Sequence, residues 1–264
     1  MDMIQLGDVT LHYRIEGDPD GAPVVFANSL GTDLRLWEQV IPYLPAGLRI
    51  LRFDKRGHGL SSCPPGEYRI EELVQDTMRL IEALDFRGCL FVGLSIGGLI
   101  AQGLAANHPE LLRAMVISNT AARIGTPDMW QERIDALRAG GIEVLADSVM
   151  ERWFSEGFRR HRGLELAAWR NMLTRTPLDG YIGCSAAVAA SDFTESSAGL
   201  GLPTLAIAGS EDGSTPPEVV RATARLIAGA RYEQIDNAGH LPCVEQPAEY
   251  ARILDDFIRE CGHV

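Results

Sequence analysis

Short uninterrupted apolar runs alternate along this chain with longer segments in which apolar residues recur at helical spacing. An uninterrupted apolar run of this kind is typical of a strand buried on both faces of a parallel sheet. The pattern predicts such strands at 24–27, 89–92, 114–117 and 203–208. It also predicts an alternating strand at 10–16 and strands at 49–53 and 232–235, where charged or polar residues stand among the apolar ones. Strands that alternate with helices indicate a parallel α/β sheet covered by helices on both faces.

The helical segments show apolar residues that repeat every three or four positions. This spacing predicts amphipathic helices at 34–44, 70–84 and 247–259. The segment 98–106 is apolar on every side, as expected of a buried helix. Thr-Pro-Pro-Glu at 215–218 predicts a further helix start, with a capping box and a proline in the first turn.

The alternation of strands and helices breaks near Thr120. The segment 121–197 is helical in pattern, contains no strand run and holds three of the four tryptophans. It is much longer than the other connections between predicted strands. We therefore predict a core formed by 1–120 and 198–264, with an inserted helical cap at 121–197. The alternative is that these helices are an ordinary crossover of the same core.

The overall charge narrows the range of partners. The formal net charge is −12, and such an acidic surface repels nucleic acids and anionic membranes. An anionic small molecule would need a local cluster of arginines. Five widely spaced cysteines without a Cys-x-x-Cys pair suit free thiols in a reducing cytoplasm, and no signal peptide is visible at the N-terminus. We expect a cytoplasmic protein whose partner is a small molecule; the sequence leaves homo-oligomerisation open.

The strongest chemical signal is Gly-Leu-Ser-Ile-Gly at 93–97, between a predicted buried strand and a predicted buried helix. A strand, a Gly-x-Ser-x-Gly turn and a helix form a nucleophile elbow. The turn holds Ser95 in a strained conformation that projects its hydroxyl from the sheet edge. Glycines at 93 and 97 permit strand and helix to approach closely.

A serine nucleophile needs a base, and the base needs an acid that fixes its tautomer. Where a nucleophile elbow supplies the serine, acid and histidine follow it in that order. Asp212 and His240 fit this order. Each comes just after a predicted strand, at the edge where open α/β sheets place their sites. His58 is the alternative base and Glu211 the alternative acid.

The tetrahedral intermediate of acyl transfer needs two N–H donors, which form the oxyanion hole. The expected donors are the backbone N–H groups of Ile96, after the nucleophile, and of Leu30, in the loop after the strand at 24–27. A metal site is not indicated, because the chain has no clustered ligands such as His-x-His. No phosphate-binding or dinucleotide motif is present either.

These features resemble the α/β-hydrolase superfamily, which implies a mostly parallel eight-stranded sheet with an inserted helical cap. Asn28-Ser29, where the superfamily more often has His-Gly, and Ser-Asn-Thr-Ala at 118–121 are similar, more narrowly, to the 3-oxoadipate enol-lactonases of the β-ketoadipate pathway. The other similar stretches are 30–33, 53–61, 93–98, 130–134 and 239–242.

The resemblance implies a serine esterase that hydrolyses 3-oxoadipate enol-lactone to 3-oxoadipate in aromatic compound catabolism, without a cofactor. This lactone carries a carboxylate, and the planar fork of an arginine matches a carboxylate. Arg123 and Arg133, at the entry to the predicted cap, are the candidates, with Trp130 as an aromatic wall. The alternative is that these residues are solvated on a cap helix.

Two other functions fit the same residues. The first is a broader carboxylesterase or acyl-transfer hydrolase that uses the same triad. The second is a non-catalytic small-ligand receptor that keeps the triad residues. Haloalkane dehalogenases and epoxide hydrolases are disfavoured, because they have an aspartate where this chain has Ser95.

Overall fold

Eight strands form a single sheet in the order β1-β2-β4-β3-β5-β6-β7-β8. The computed structural model describes residues 1–264, and the strands are β1 Asp2–Leu6, β2 Val9–Gly17, β3 Ala22–Ala27, β4 Leu48–Phe53, β5 Cys89–Leu94, β6 Leu112–Ser118, β7 Thr204–Gly209 and β8 Arg231–Ile235. Only the β1–β2 and β2–β4 pairs are antiparallel. Every residue of β5 and β7 is buried, which explains their unbroken apolar runs. The predicted fold class is confirmed.

Eleven helices cover this sheet. They are α1 Ile70–Ala83, α2 Ile96–Asn107, α3 Pro127–Gly140, α4 Glu143–Trp153, α5 Glu156–His161, α6 Gly163–Thr174, α7 Leu178–Ala190, α8 Thr194–Ala198, α9 Pro217–Leu226, α10 Pro242–Glu245 and α11 Pro247–Glu260. The amphipathic helices α1 and α11 lie within one residue of their predicted bounds. None of the eleven combines the length and apolar character that crossing a bilayer requires.

Six of the helices, α3 to α8, lie between β6 and β7 in the sequence. Within this group α3 packs on α7 and α4 packs on α6. The group also touches the core closely, because a Cβ on Gly180 of α7 would lie 2.1 Å from the carbonyl oxygen of Gly57. The division into a core and a cap at 121–197 stays a prediction.

Two local predictions were wrong. The segment 34–44 forms two short 3₁₀ helices, Leu34–Trp37 and Ile41–Tyr43, and not one amphipathic helix. Pro42 explains the break, because proline removes a backbone donor and clashes within a helix. The capping box at 215–218 is also absent, since α9 begins without a side-chain cap and the Thr215 hydroxyl is hydrogen-bonded elsewhere.

The junction of β5 and α2 is packed without side chains. A Cβ on Gly97 would lie 2.3 Å from the carbonyl oxygen of Ala27 on β3, and one on Gly93 would lie 2.1 Å from the oxygen of Gly97. Between them Ser95 has a φ of 59°, in the left-handed region that non-glycine residues rarely adopt. The close contact therefore forces the strained turn that the motif predicts.

We expect Gly97→Ala to lower the free energy of unfolding by about 2–4 kcal/mol, because a backbone oxygen cannot move aside for the new methyl group. The measurement is urea denaturation followed by circular dichroism. Gly201→Ala is the matched control, since a Cβ there meets no atom within 4 Å, and it should change stability by less than about 0.5 kcal/mol. Equal stability of the two variants would contradict the contact.

Candidate active site

Ser95 lies at the carboxyl end of β5, where the backbone turns into α2. Its N–H donates to the carbonyl oxygen of Ser118 at 2.9 Å, and the Thr120 hydroxyl donates to its own carbonyl oxygen at 2.7 Å. Both partners come from the end of β6 and the residues after it. The neighbouring strand thus fixes the turn from both sides, and the Ser95 side chain faces a cavity.

His240 and Asp212 are hydrogen-bonded to each other in the buried site. His240 Nδ1 lies 3.0 Å from Oδ1 and 2.9 Å from Oδ2 of Asp212. Because an ionised carboxylate only accepts hydrogen bonds, Nδ1 carries the proton in the neutral ring and Nε2 keeps a lone pair. A ring held in this tautomer can take a proton at Nε2, which is what a general base requires.

Asp212 accepts several further hydrogen bonds. The backbone N–H groups of Ser214 and Thr215 donate to Oδ1 at 2.7 and 3.0 Å, and the Thr215 hydroxyl and Asn119 amide donate to Oδ2 at 2.8 and 2.9 Å. Burial acts to raise the pKa of this carboxyl, but the charge of His240 and these hydrogen bonds outweigh it and lower the pKa. Asp212 is therefore held as an anion.

Asn119 joins the end of β6 to this acid. Its φ is 47°, a conformation that asparagine tolerates better than most residues. Its side chain accepts a hydrogen bond from the Ser118 hydroxyl at 2.9 Å and donates one to Asp212. The end of β6 has no carboxylate, but it contributes an amide that orients the Asp212 carboxylate after β7.

The alternative base and acid are engaged elsewhere. His58 is fully buried, and its Nε2 accepts a hydrogen bond from the N–H of Gly31 at 2.9 Å, so the lone pair that a base needs is occupied. Glu211 is exposed and accepts a hydrogen bond from the N–H of Glu156 at 3.0 Å. The geometry therefore favours His240 and Asp212.

Two backbone N–H groups are available beside the serine. Leu30 is buried after β3, lines the same cavity as Ser95, and its N–H has no hydrogen-bond partner in the protein. Ile96 is the first residue of α2, and the first N–H groups of a helix lack an intrahelical acceptor. Both N–H groups are thus free to donate hydrogen bonds to a substrate oxygen.

The cavity around Ser95 and His240 has a volume of about 140 Å³. Most of its lining comes from the segment between β6 and β7: Ile124, Gly125, Met129, Trp130, Arg133, Val149, Arg152, Trp153, Tyr181 and Val188. A larger open groove, of about 1160 Å³, lies beside β2 and α6 and contains none of the three residues, so its size does not make it the reactive site.

Of the two predicted arginines, only Arg133 reaches this cavity. Its guanidinium lies 4.7 Å from the ring centre of Trp130, whose Nε1 donates to the carbonyl oxygen of Ile124 at 2.7 Å. Arg123 is half exposed, lies 3.7 Å from Asp192 and does not line the cavity. The structure thus brings Trp130 and Arg133 to the site and leaves Arg123 outside it.

A second cavity arginine, Arg152, was missed in the sequence. It lies in the last turn of α4 beside Gly213. Burial and then the positive charge of Arg133 lower the pKa of Arg152. Neither Arg133 nor Arg152 forms a salt bridge, although the chain is acidic overall. Two neighbouring guanidinium groups without a carboxylate partner form a site suited to an anion.

Asn119 and Thr215 were also missed in the sequence as residues of the site. Both side chains support Asp212. Asn119 follows a strand that is far from Asp212 in the sequence, whereas Thr215 lies only three residues after Asp212 and was interpreted as a helix cap. One signal was available: an asparagine directly after a buried strand is suited to a positive φ. Nothing in the sequence distinguished Arg152 from the other arginines of 121–197.

Comparisons with known proteins agree with this architecture. Residues 22–247 match the family model described as alpha/beta hydrolase fold. A 3-oxoadipate enol-lactonase of Acinetobacter baylyi is 34% identical over 258 residues, covering 98% of this chain and 96% of that protein. The crystal structure of the enol-lactonase from Burkholderia xenovorans superposes with a TM-score of 0.94 at 37% identity, covering 98% of this chain and 100% of that one.

An esterase belongs to the same set of similar structures. The malate-bound thermophilic esterase from Thermogutta terrifontis has a TM-score of 0.92 at 25% identity, and the match covers the whole of both chains. The family model spans most of this chain, and the relatives match it nearly end to end. The chain therefore belongs to the α/β-hydrolase family, as an enzyme that acts on ester bonds.

Proposed function

We propose that this protein hydrolyses 3-oxoadipate enol-lactone to 3-oxoadipate through a Ser95-His240-Asp212 triad and an acyl-enzyme. The observation that carries the proposal is a single cavity with reactive and recognition groups together. Ser95, His240 and the N–H of Leu30 lie on its core side, and two unpaired arginines lie on its helical side. The similarity to enol-lactonases supports the choice of substrate.

Acylation begins when Ser95 Oγ attacks the ring carbonyl while its proton moves to Nε2 of His240. Asp212 stabilises the imidazolium that forms, because its carboxylate stays ionised and hydrogen-bonded to Nδ1. The carbonyl oxygen becomes an oxyanion, which the N–H groups of Leu30 and Ile96 stabilise. Removal of one such donor typically costs about 3–4 kcal/mol in the transition state.

Collapse of this intermediate breaks the ring C–O bond, and His240 returns its proton to the leaving enol oxygen. The leaving group stays attached to the acyl chain, so the ring could close again. Conversion of the enol to its ketone removes that nucleophile. Water then gives a proton to His240 and attacks the acyl carbon. The bond between this carbon and Ser95 Oγ breaks, His240 returns the proton to Oγ, and 3-oxoadipate leaves with a second carboxylate.

Recognition of the anionic substrate is assigned to the cap. The carboxylate on the lactone is attracted by Arg133 and Arg152, and the Trp130 ring forms a flat wall that Arg133 stacks against. Because both guanidinium groups lack salt-bridge partners, no existing ion pair has to be broken when the substrate binds. A broader ester hydrolase remains the second candidate, favoured by the apolar remainder of the cavity.

The nucleophile is tested by Ser95→Ala, measured by the loss of enol-lactone absorbance in the ultraviolet. We expect kcat to fall by about 10⁴- to 10⁶-fold, because no other group can form the acyl-enzyme. Ser148→Ala, an exposed serine of α4, is the control and should keep full activity. Turnover of a neutral aryl ester without turnover of the lactone would move the assignment to the broader esterase.

The acid is tested by comparing Asp212→Asn with Glu211→Gln on the same substrate. We expect the first to lower kcat by about 10⁴-fold, because an amide facing Nδ1 permits the wrong tautomer of His240. The second should change kcat by less than about threefold, since Glu211 only accepts a backbone hydrogen bond at the surface. The reverse order of effects would assign the acid to Glu211.

The recognition site is tested by Arg133→Met and Arg152→Met, each assayed on the anionic lactone and on a neutral aryl ester. Each change should reduce kcat/KM for the lactone by about 10- to 100-fold, the value of a charge-assisted hydrogen bond, and affect the ester much less. The control is Arg138→Met, because Arg138 is an exposed arginine of α3, the helix that carries Arg133. Equal losses of kcat/KM on both substrates would show that the arginines do not bind the substrate carboxylate.

A further inference from the structure

Lys55 is the only lysine in the chain, and it is buried. It lies two residues after β4, and its ammonium group forms no salt bridge. Nζ donates instead to two backbone carbonyl oxygens, those of Ser29 at 2.7 Å and Thr32 at 3.4 Å. Burial lowers the pKa of Lys55 to about 8, so the ammonium form still predominates at neutral pH. A buried cation without a carboxylate partner is costly, which points to a role for its hydrogen bonds.

The carbonyl group of Ser29 accepts three hydrogen bonds. Besides Lys55 Nζ, it accepts from the Thr32 hydroxyl at 2.9 Å and from the Thr32 N–H at 3.3 Å. A carbonyl oxygen has two lone pairs, so three donors, one of them cationic, saturate it. Hydrogen bonds at one end of a peptide group polarise that group and strengthen the donor at its other end.

The other end of this peptide group is the N–H of Leu30. The peptide bond is trans, so the N–H points away from the carbonyl and from Lys55. It has no partner in the protein, whereas the next N–H, of Gly31, donates to His58. In this turn the peptide with the most strongly hydrogen-bonded carbonyl is thus the one whose N–H is free beside Ser95.

We propose that Lys55 is a positioning residue of the oxyanion hole, which orients and polarises the peptide group joining Ser29 and Leu30. The proposal rests on Ser95 being the nucleophile, as assigned above. Lys55 does not touch the substrate. Its positive charge acts through the peptide group and makes the Leu30 N–H a stronger donor when negative charge develops on the substrate oxygen.

The roles of the surrounding residues follow from this arrangement. His58 holds Gly31 by accepting its N–H, and burial and the nearby charge of Lys55 keep the pKa of His58 well below its ordinary value. A neutral His58 can accept at Nε2, which a protonated ring cannot. Lys55 and His58 thus fix two successive peptide groups of the loop after β3.

The experiment compares Lys55→Met, Lys55→Arg and Thr32→Val with Arg56→Met as the matched control. Arg56 is the next residue along the chain, equally buried, but its side chain pairs with Asp76 of α1 and not with the loop. Each variant is assayed for kcat and KM on p-nitrophenyl acetate and for inhibition by phenylboronic acid, which forms a tetrahedral adduct with an active serine. Urea denaturation reports the stability of each variant.

We expect Lys55→Met to lower kcat by about 10- to 100-fold. This loss is smaller than the roughly 10²- to 10³-fold loss on removing an oxyanion donor, because the Leu30 N–H is weakened and not removed. KM should stay within about threefold, because the interaction is made only in the transition state. The affinity for phenylboronic acid should fall by a factor similar to that for kcat. Lys55→Arg should recover part of both losses, and Thr32→Val, which removes one neutral donor, should show a smaller loss of each.

Several results would overturn the proposal. They are unchanged kcat in folded Lys55→Met, a change confined to KM, or an equal loss of boronate affinity in Arg56→Met. If Lys55→Met does not fold, unchanged kcat in Thr32→Val overturns the proposal. That variant removes one hydrogen bond to the Ser29 carbonyl and neither buries nor removes a charge. A wild-type protein that neither turns over the ester nor binds the boronate would instead refute the nucleophile itself, which separates the two failures.

Discussion

The contact between α2 and the sheet determines the geometry of the whole site. Glycines at 93 and 97 permit backbone to touch backbone, and the chain can pass from β5 to α2 only through a residue with positive φ. That residue is Ser95, and its hydroxyl therefore projects beyond the strand ends. Asp212 and His240 reach the same edge because β7 and β8 run parallel to β5. The strain at one residue is offset by the packing of a buried helix.

Charge is distributed in an unusual way for so acidic a protein. Many arginines pair with carboxylates near the surface, whereas Arg133 and Arg152 face the cavity without a salt bridge and Lys55 is buried behind the loop after β3. Positive charge thus lies around the cavity in which the proposed reaction binds and forms negative charge. Asp212 is the opposite case, a buried anion that hydrogen bonds from two other strand ends keep ionised.

Most patterns confined to neighbouring residues were read correctly in the sequence. Short strand-like segments located every strand that has a parallel neighbour, although the antiparallel edge strand β1 was not predicted. The elbow motif located Ser95, because strand burial and the steric need for glycine act over a few residues. The errors arose where a proline or a competing acceptor within the same segment overrode the pattern, as Pro42 does in the predicted helix at 34–44. Thr215 has the right spacing for a helix cap, yet its hydroxyl donates to Asp212, since a buried anion is the more demanding partner.

The sequence alone therefore determined the order of the strands from β2 onward, the main helices of the core, the elbow and the chain order of the three predicted triad residues. Tertiary structure decided which acid meets the histidine, which arginines face the cavity and what surrounds the only lysine. These choices depend on side chains from segments far apart in the chain, and only the register and spacing of the folded sheet bring them within hydrogen-bond distance. Local periodicity carries information about burial, but none about which distant polar group completes a buried one.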